Sequence, residues 1–153
     1  MNIKCFLIED TGKYGPARDV TIDGKINGTS SSPIYRRVDT GEEFEFHGKQ
    51  VPVGAIWRAT WFEEFFDKET KNQWCGTDGK CYVVMTPEGE WIIDSRASNC
   101  TRKDDNDHKC WCRHGEAPNF TVNKVGNTCS AGAGSIQIGN YHGFLINGEL
   151  TNC

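Results

Sequence analysis

Seven of the eight cysteines of this 153-residue chain lie between Cys75 and Cys153, together with three of its four histidines. In order, this half carries Cys75, Cys81, Cys100, His108, Cys110, Cys112, His114, Cys129, His142 and Cys153. Thiolate and imidazole are the side chains zinc prefers, four of them in a tetrahedron, commonly as two short-spaced pairs that the fold brings together. Cys110-Trp111-Cys112, flanked by His108 and His114, is one such local group. The distant ligands would come from among Cys75, Cys100, Cys129, His142 and Cys153. On a strand, Cys110 and Cys112 would point to the same face, because side chains alternate with period two. The chain has no Cys-X-X-Cys knuckle, so the pattern differs from that of a zinc finger.

The same region holds a second signal. Thr101-Arg102-Lys103-Asp104-Asp105-Asn106-Asp107-His108 sits in a polar, charged stretch from about 95 to 115. Such a composition cannot pack against itself and needs something to order it. Coordination supplies folding free energy, about 10–16 kcal/mol in small zinc sites, so ligands and polar loop make sense together. Two other fates for the thiols stand beside this one: disulfides, for which eight cysteines allow 105 pairings, and unligated buried thiols.

A sharper chemical reading is a cysteine hydrolase. Asn99-Cys100-Thr101, followed much later by Tyr141-His142-Gly143, has the chain order of the cell-wall peptidases and amidases, with a Cys nucleophile and a His base. Such a nucleophile usually opens a helix whose dipole lowers its pKa. Cys100 instead precedes a charged run with no apolar periodicity, which argues against a Cys100/His142 pair. A hydrolase with water at an open zinc position is the other enzymatic alternative. Asp105-Asn106-Asp107 lacks the glycine and closing glutamate of a calcium loop, and no helix pattern follows Gly132, Gly134 and Gly139 as a dinucleotide fingerprint requires.

Composition narrows the partners. There are 21 acidic against 17 basic side chains, for a net charge of −4. With no basic stripe, nothing offers the clustered positive charge on which nucleic-acid affinity rests. The apolar runs are far short of the 18 or more residues of a membrane span. Met1-Asn2-Ile3-Lys4-Cys5-Phe6-Leu7-Ile8 lacks the apolar core of a secretory signal, reads as a first strand, and predicts reduced thiols or metal thiolates in a reducing compartment. A domain of this length buries roughly 68–70% of its unfolded surface, so it does not need disulfides to fold.

The elements that must position the ligands are mostly strands. Asp23-Gly24, Asn27-Gly28, Val38-Asp39-Thr40-Gly41, Pro87-Glu88-Gly89 and Asn147-Gly148 are turn signals between strand-like runs, and Asn-Gly is the strongest of them. At least three hairpins are predicted. The four-residue spacing of Trp57, Trp61 and Phe65, with Phe62 and Phe66 alongside, predicts one helix from Ala55 to about Lys68, with strand alternation of Trp57, Ala59 and Trp61 as the competing pattern. The aromatics are read as core. The predicted fold class is α+β, mostly β, with antiparallel hairpins, one short helix and a metal-stabilised half. Residues 1–153 form one domain, with an N-terminal hairpin layer over 1–54 and a Cys/His-rich part over 55–153.

The stretches "VPVGAIWRATWF", "WCGTDGK", "EWIIDSRASNCT", "HKCWCRHGEAPNFTV" and "TCSAGAGSIQIGNYHGFLINGELT" cover about two thirds of the chain. They resemble a Cys/His-rich family of small proteins encoded by tailed bacteriophages of Gram-negative hosts. More remotely, they are similar to small phage and mobile-element zinc domains that close with Ser-Ile, a His-Phe pair and a glycine hairpin. By position the resemblance includes Cys75, Cys100, His108, Cys110, His114, Cys129 and His142. It implies a structural zinc on Cys75, Cys100, Cys110 and Cys129, with His142 as an alternative fourth ligand. Cys112, His108, His114 and Cys153 are the remaining alternates, and Cys5, Cys81, Cys112 and Cys153 become bystanders. The resemblance further implies a non-enzymatic phage protein acting through protein contacts: a virion component such as a head decoration or minor structural protein, or a host-takeover protein that binds a bacterial factor. The expected locations are the host cytoplasm during infection and the virion, with capsid proteins or a second copy of the chain as partners.

Overall fold

The computed structural model describes residues 2–47, 50–65, 73–105, 107–131 and 134–153. Fourteen strands and one helix are present among them. They divide into two compact units, Met1–Leu7 with Val53–Cys153, and Ile8–Pro52. The fold is mostly β, built from antiparallel hairpins with one short helix.

The larger unit carries the Cys/His-rich sequence. Its first sheet runs in the order β1 (Asn2–Lys4), β14 (Glu149–Asn152), β13 (Tyr141–Ile146), β11 (Thr121–Asn123), β10 (Cys112–His114), with β12 (Ile136–Ile138) also on β13. Its second sheet pairs Phe6 and Leu7 of β2 (Phe6–Tyr14) in parallel with β7 (Ala55–Arg58). β7 continues antiparallel to β8 (Tyr82–Thr86), and β8 to β9 (Gly89–Ile92). The chain changes sheets at Cys5, whose N–H donates to the Gly148 carbonyl at 2.7 Å and whose side chain is buried.

Alternation decides what fills the core. Along β13, Tyr141, Gly143 and Leu145 face inward while their neighbours are more exposed, and Leu150 of β14 lies opposite Leu145. These residues meet Cys5, Ile56, Val84, Ile93, Phe120, Val122 and Ile136 in one apolar cluster. Asn147 and Gly148 both take positive φ, 47° and 74°, the conformation that a two-residue turn of this hand requires, so the Asn-Gly signal is realised as a hairpin. Asp23-Gly24, Val38–Gly41 and Pro87–Gly89 are likewise the connections of strand pairs. Gly143 has a further task. A Cβ there would stand 1.7 Å from the Thr151 carbonyl oxygen and 2.5 Å from the Tyr141 hydroxyl, itself donating to that carbonyl at 2.6 Å. Gly143→Ala is therefore expected to separate β13 from β14 and to cost about 1–3 kcal/mol or more, which urea unfolding measures.

The smaller unit holds Ile8–Tyr14 of β2 against β5 (Pro33–Arg37), β5 against β6 (Glu43–Glu45), and a separate ribbon of β3 (Arg18–Ile22) and β4 (Lys25–Ser30). Every residue of the ribbon is exposed. Asn27-Gly28, expected as a second turn, lies inside β4, where the register slips by one residue and Gly28 takes φ +123°. An Asx-Gly signal can serve a bulge as well as a turn.

The expected helix over Ala55 to Lys68 is corrected at its first half. Ala55, Ile56 and Trp57 are strand β7, all buried, and only Thr60–Phe65 is helical (α1); residues 66–72 lie outside the described residues. A strand flanked on both sides reads as an unbroken apolar run, which periodicity cannot separate from a buried helix. Trp57 is core as expected, whereas Trp61 is 56% exposed. No described helix is long and apolar enough to cross a membrane.

Candidate metal centre

The segment from Ser95 to Trp111 contains no strand or helix among its described residues, and the chain must hold it by other means. Short turns do part of this: Cys100 N–H donates to Ala97 O, Asp105 N–H to Arg102 O, and His108 N–H to Asp105 O, at 3.1–3.3 Å. Arg96 does more. Its guanidinium donates through Nη1 to the Arg102 carbonyl and through Nη2 to the Asp105 carbonyl, both at 2.5 Å, gathering the charged run around one side chain. Arg102 donates to Thr128 Oγ1 at 2.5 Å and pairs with Asp105, which ties the segment to the turn preceding Cys129. That turn is fixed by Asn127, whose Oδ1 accepts from Cys129 N–H at 2.9 Å while its Nδ2 donates to the Ala131 carbonyl at 2.6 Å.

These constraints place Cys100, His108, Cys110 and Cys129 around one point, their ligand atoms all within 4.8 Å of one another. Cys110 Sγ is 3.8 Å from His108 Nε2 and 3.9 Å from Cys129 Sγ. Four ligands at zinc–sulfur distance on a tetrahedron are separated by about 3.8 Å along each edge, which these two spacings match. Cys100, His108 and Cys110 are buried and Cys129 is half-buried, with Ala97, Ala131 and Trp111 packed around the thiols. This Cys3His cluster can hold a metal ion.

The surroundings prepare the ligands. His108 Nδ1 is 3.0 Å from Thr128 Oγ1, which fixes the ring with Nε2 aimed at the thiols, the usual outer support of a metal-bound imidazole. Burial, with Arg96 and Arg102 nearby, holds the His108 pKa below its ordinary value, so the imidazole is neutral and able to ligate. Burial pushes the Cys110 thiol up to about 12 in the metal-free protein. At Cys129 burial acts in the same direction, but hydrogen bonds from the backbone at Ala131 and Thr101 and from neighbouring thiols prevail and hold the thiol below its ordinary value. Three thiolates around a dication leave one negative charge, and Cys100 Sγ has two donors turned toward it: Arg102 N–H at 3.4 Å and Arg96 Nη1 at 3.9 Å. Thr128→Val keeps the shape of the side chain and removes the support of His108. We expect it to lower metal affinity by about 10–100-fold, read by competition with a chromogenic chelator.

The other candidate ligands stand elsewhere. The structure does not bring Cys75 to this group; His108 completes it instead. Cys75 and Cys81 are both buried, at either end of a loop closed by the Gly76 N–H to Lys80 carbonyl hydrogen bond of 2.8 Å. Cys112 begins β10, and its thiol donates to the Lys109 carbonyl at 3.6 Å. Because Cys110 precedes that strand, the alternation expected to place both thiols on one site does not operate. His114 bonds Asn123 Oδ1 at 3.0 Å, His142 bonds Ser135 Oγ at 3.0 Å, Cys153 is exposed, and Cys5 is in the core. The Cys100 thiol and the His142 ring, paired in the hydrolase alternative, thus have different partners.

Sequence reasoning missed a buried ion pair beside this centre. Arg113 of β10 donates through Nε to Asp94, at 3.1 and 3.3 Å to its two oxygens, and through Nη2 to Asp78 at 3.0 Å. Its guanidinium also lies 4.7 Å from the centroid of Tyr82 and 5.2 Å from that of Phe120. The signal for it was slight: a lone arginine in a short strand and a lone aspartate after an apolar run. Comparison with family models, with curated proteins and with solved structures finds no match to the chain.

Proposed function

We propose that the protein is a zinc-stabilised, β-rich module that works through protein–protein contacts, in a phage as a component of the virion. The observation that carries the metal part is the closed set of four ligands: Cys100, His108, Cys110 and Cys129 at coordination spacing in a buried pocket. Three soft thiolates with one imidazole select zinc over hard cations. Four protein ligands leave no coordination position for a catalytic water, which supports a structural role over hydrolysis. The net charge of −4 supports a protein partner over nucleic acid. The phage assignment rests on the sequence signature from Val51 to Thr151.

Elemental analysis of the purified protein tests the first clause. One equivalent of zinc and a drop in thermal stability with a strong chelator are expected; less than half an equivalent and no response to chelator overturn it. Mass spectrometry of purified particles tests the second, since a protein abundant in infected cells and missing from virions is not a virion component.

A further inference from the structure

The tripeptide Ile-Asn-Gly occurs twice, at 26–28 and at 146–148, and the fold treats the two copies differently. An asparagine followed by glycine can lose its side-chain amide, because the glycine nitrogen can reach the asparagine Cγ with no Cβ in the way. The reaction needs an asparagine side chain free to turn toward that nitrogen and a backbone N–H open to water. At 146–148 the fold withholds both. Gly148 is buried and its N–H donates to the Phe120 carbonyl at 2.9 Å. Asn147 N–H donates to Thr121 Oγ1 at 2.9 Å, and the same hydroxyl donates to Asn147 Oδ1 at 3.2 Å, so the side chain is tied to β11. The turn is also packed from outside, since a Cβ on Gly148 would stand 2.8 Å from the Pro118 carbonyl oxygen. At 26–28 these restraints are missing. Asn27 and Gly28 are exposed and lie in the register slip between the Asp19–Thr29 and Thr21–Ile26 pairs, where neither has a paired residue on β3. The Asn27 side chain has no hydrogen-bond partner among the described residues, and nothing stands within 4 Å of where a Cβ on Gly28 would be.

We propose that Asn27 is a site of deamidation in the folded protein, and that Asn147, in the same tripeptide, is protected by its turn. Gly28 N bonds to Asn27 Cγ as the bond from Cγ to Nδ2 breaks. The Gly28 amide proton passes to the departing nitrogen, and ammonia leaves behind a five-membered succinimide. One water then opens the ring, at Cγ to give aspartate or at the main-chain carbonyl to give isoaspartate linked through its side chain. Either product adds a negative charge to a ribbon on which Arg18 and Lys25 balance Asp19 and Asp23. Isoaspartate also lengthens the backbone by one atom. The register slip absorbs this, because β4 already carries one residue more than β3 between the flanking pairs. The same lengthening at Asn147 would break the turn that joins β13 to β14. The modification is thus a one-way charge change confined to the ribbon of the smaller unit, independent of the metal centre.

The test incubates the full chain, as purified, at mildly alkaline pH in water labelled with heavy oxygen, beside a sample unfolded in urea. Incubation lasts until half of Asn147 in the unfolded sample has reacted. The label marks conversion during incubation and excludes any that arises later in handling. Trypsin cuts after Lys25 and Arg36, which gives peptide 26–36 with Asn27 as its single asparagine, and after Lys124, which gives peptide 125–153 with Asn147. Mass spectrometry reads the extent of conversion in each, and fragmentation places it within 125–153. In the folded protein Asn27 is expected to react at least about tenfold faster than Asn147, whose turn must open first. In urea the two identical tripeptides should react at similar rates. The proposal is overturned if the two sites react equally fast in the folded protein, or if Asn27 stays intact there while it reacts in urea. It is also overturned if the unfolded chain keeps the same preference, since flanking residues instead of the fold would then set it.

Discussion

Cys110→Ser is expected to abolish the metal centre and melt the segment around it while both sheets of the larger unit stay folded. Cys110 is the most buried of the four ligands, at 0% exposure, and is within 3.9 Å of two others. Losing a ligand should reduce metal affinity by more than the 10–100-fold typical of an outer supporting residue. The apolar contacts of the segment are few: Cys100, Cys110 and Ala131 are its buried cluster, with Ala97, Trp111 and Cys129 beside them. Arg96 and the turns cannot hold residues 95–111 in water without the ion, because their hydrogen bonds are matched by hydration in the open state. Hydrogen exchange reads the outcome. Amides of 95–111 should exchange about 10²-fold faster or more in the variant, while those of β13 and β14, packed in the main core, keep their protection. Unchanged protection over 95–111 would mean that the polar segment is ordered without metal.

The second large effect belongs to the ion pair that the sequence did not announce. Asp94→Ala leaves the Arg113 guanidinium, 12% exposed, without its buried carboxylate partner, and the remaining one, Asp78, is 44% exposed and screened by water. An uncompensated buried charge costs about 3–5 kcal/mol. For a chain of this size that lowers the Tm by on the order of 10 °C. The variant also removes the acceptor for Tyr82 N–H at the start of β8. Replacing both partners, Asp94→Leu with Arg113→Met, should recover most of the loss, since apolar groups of similar volume substitute well for a buried pair. If the double variant is no more stable than Asp94→Ala, the loss comes from the missing acceptor and packing instead of the stranded charge.

How much of this was legible in the sequence depends on whether a signal is local. Asn147-Gly148 and Pro87-Glu88-Gly89 carry their own geometry, so hairpins could be placed to the residue. The segment Ala55–Trp57 carries no such mark: buried on both faces, it loses the alternation that distinguishes a strand, and the aromatic spacing that followed suggested a helix. At the candidate centre, the residue types and the polar loop pointed to a ligand set, and Cys100, Cys110 and Cys129 stood in the set the resemblance implied. Spacing offered His108 only as one of several neighbours of Cys110. His108 reaches the thiols because two turns and the Arg96 guanidinium curl the charged run back on itself, and Cys75 is held away from them in a loop closed by the Gly76 N–H to Lys80 carbonyl bond. Both facts depend on hydrogen bonds made by backbone carbonyls, which no residue pattern reports. Cys110-Trp111-Cys112 shows the same limit, since β10 begins two residues too late for strand alternation to place the two thiols on one face.

Zinc K-edge X-ray absorption on the purified protein tests the central claim most directly. Coordination by Cys100, His108, Cys110 and Cys129 predicts a four-coordinate shell of three sulfurs at about 2.3 Å and one imidazole nitrogen at about 2.0–2.1 Å. His108→Cys should convert this to four sulfurs. A shell dominated by oxygen, an imidazole signal that survives His108→Cys, or no bound metal at all would contradict it.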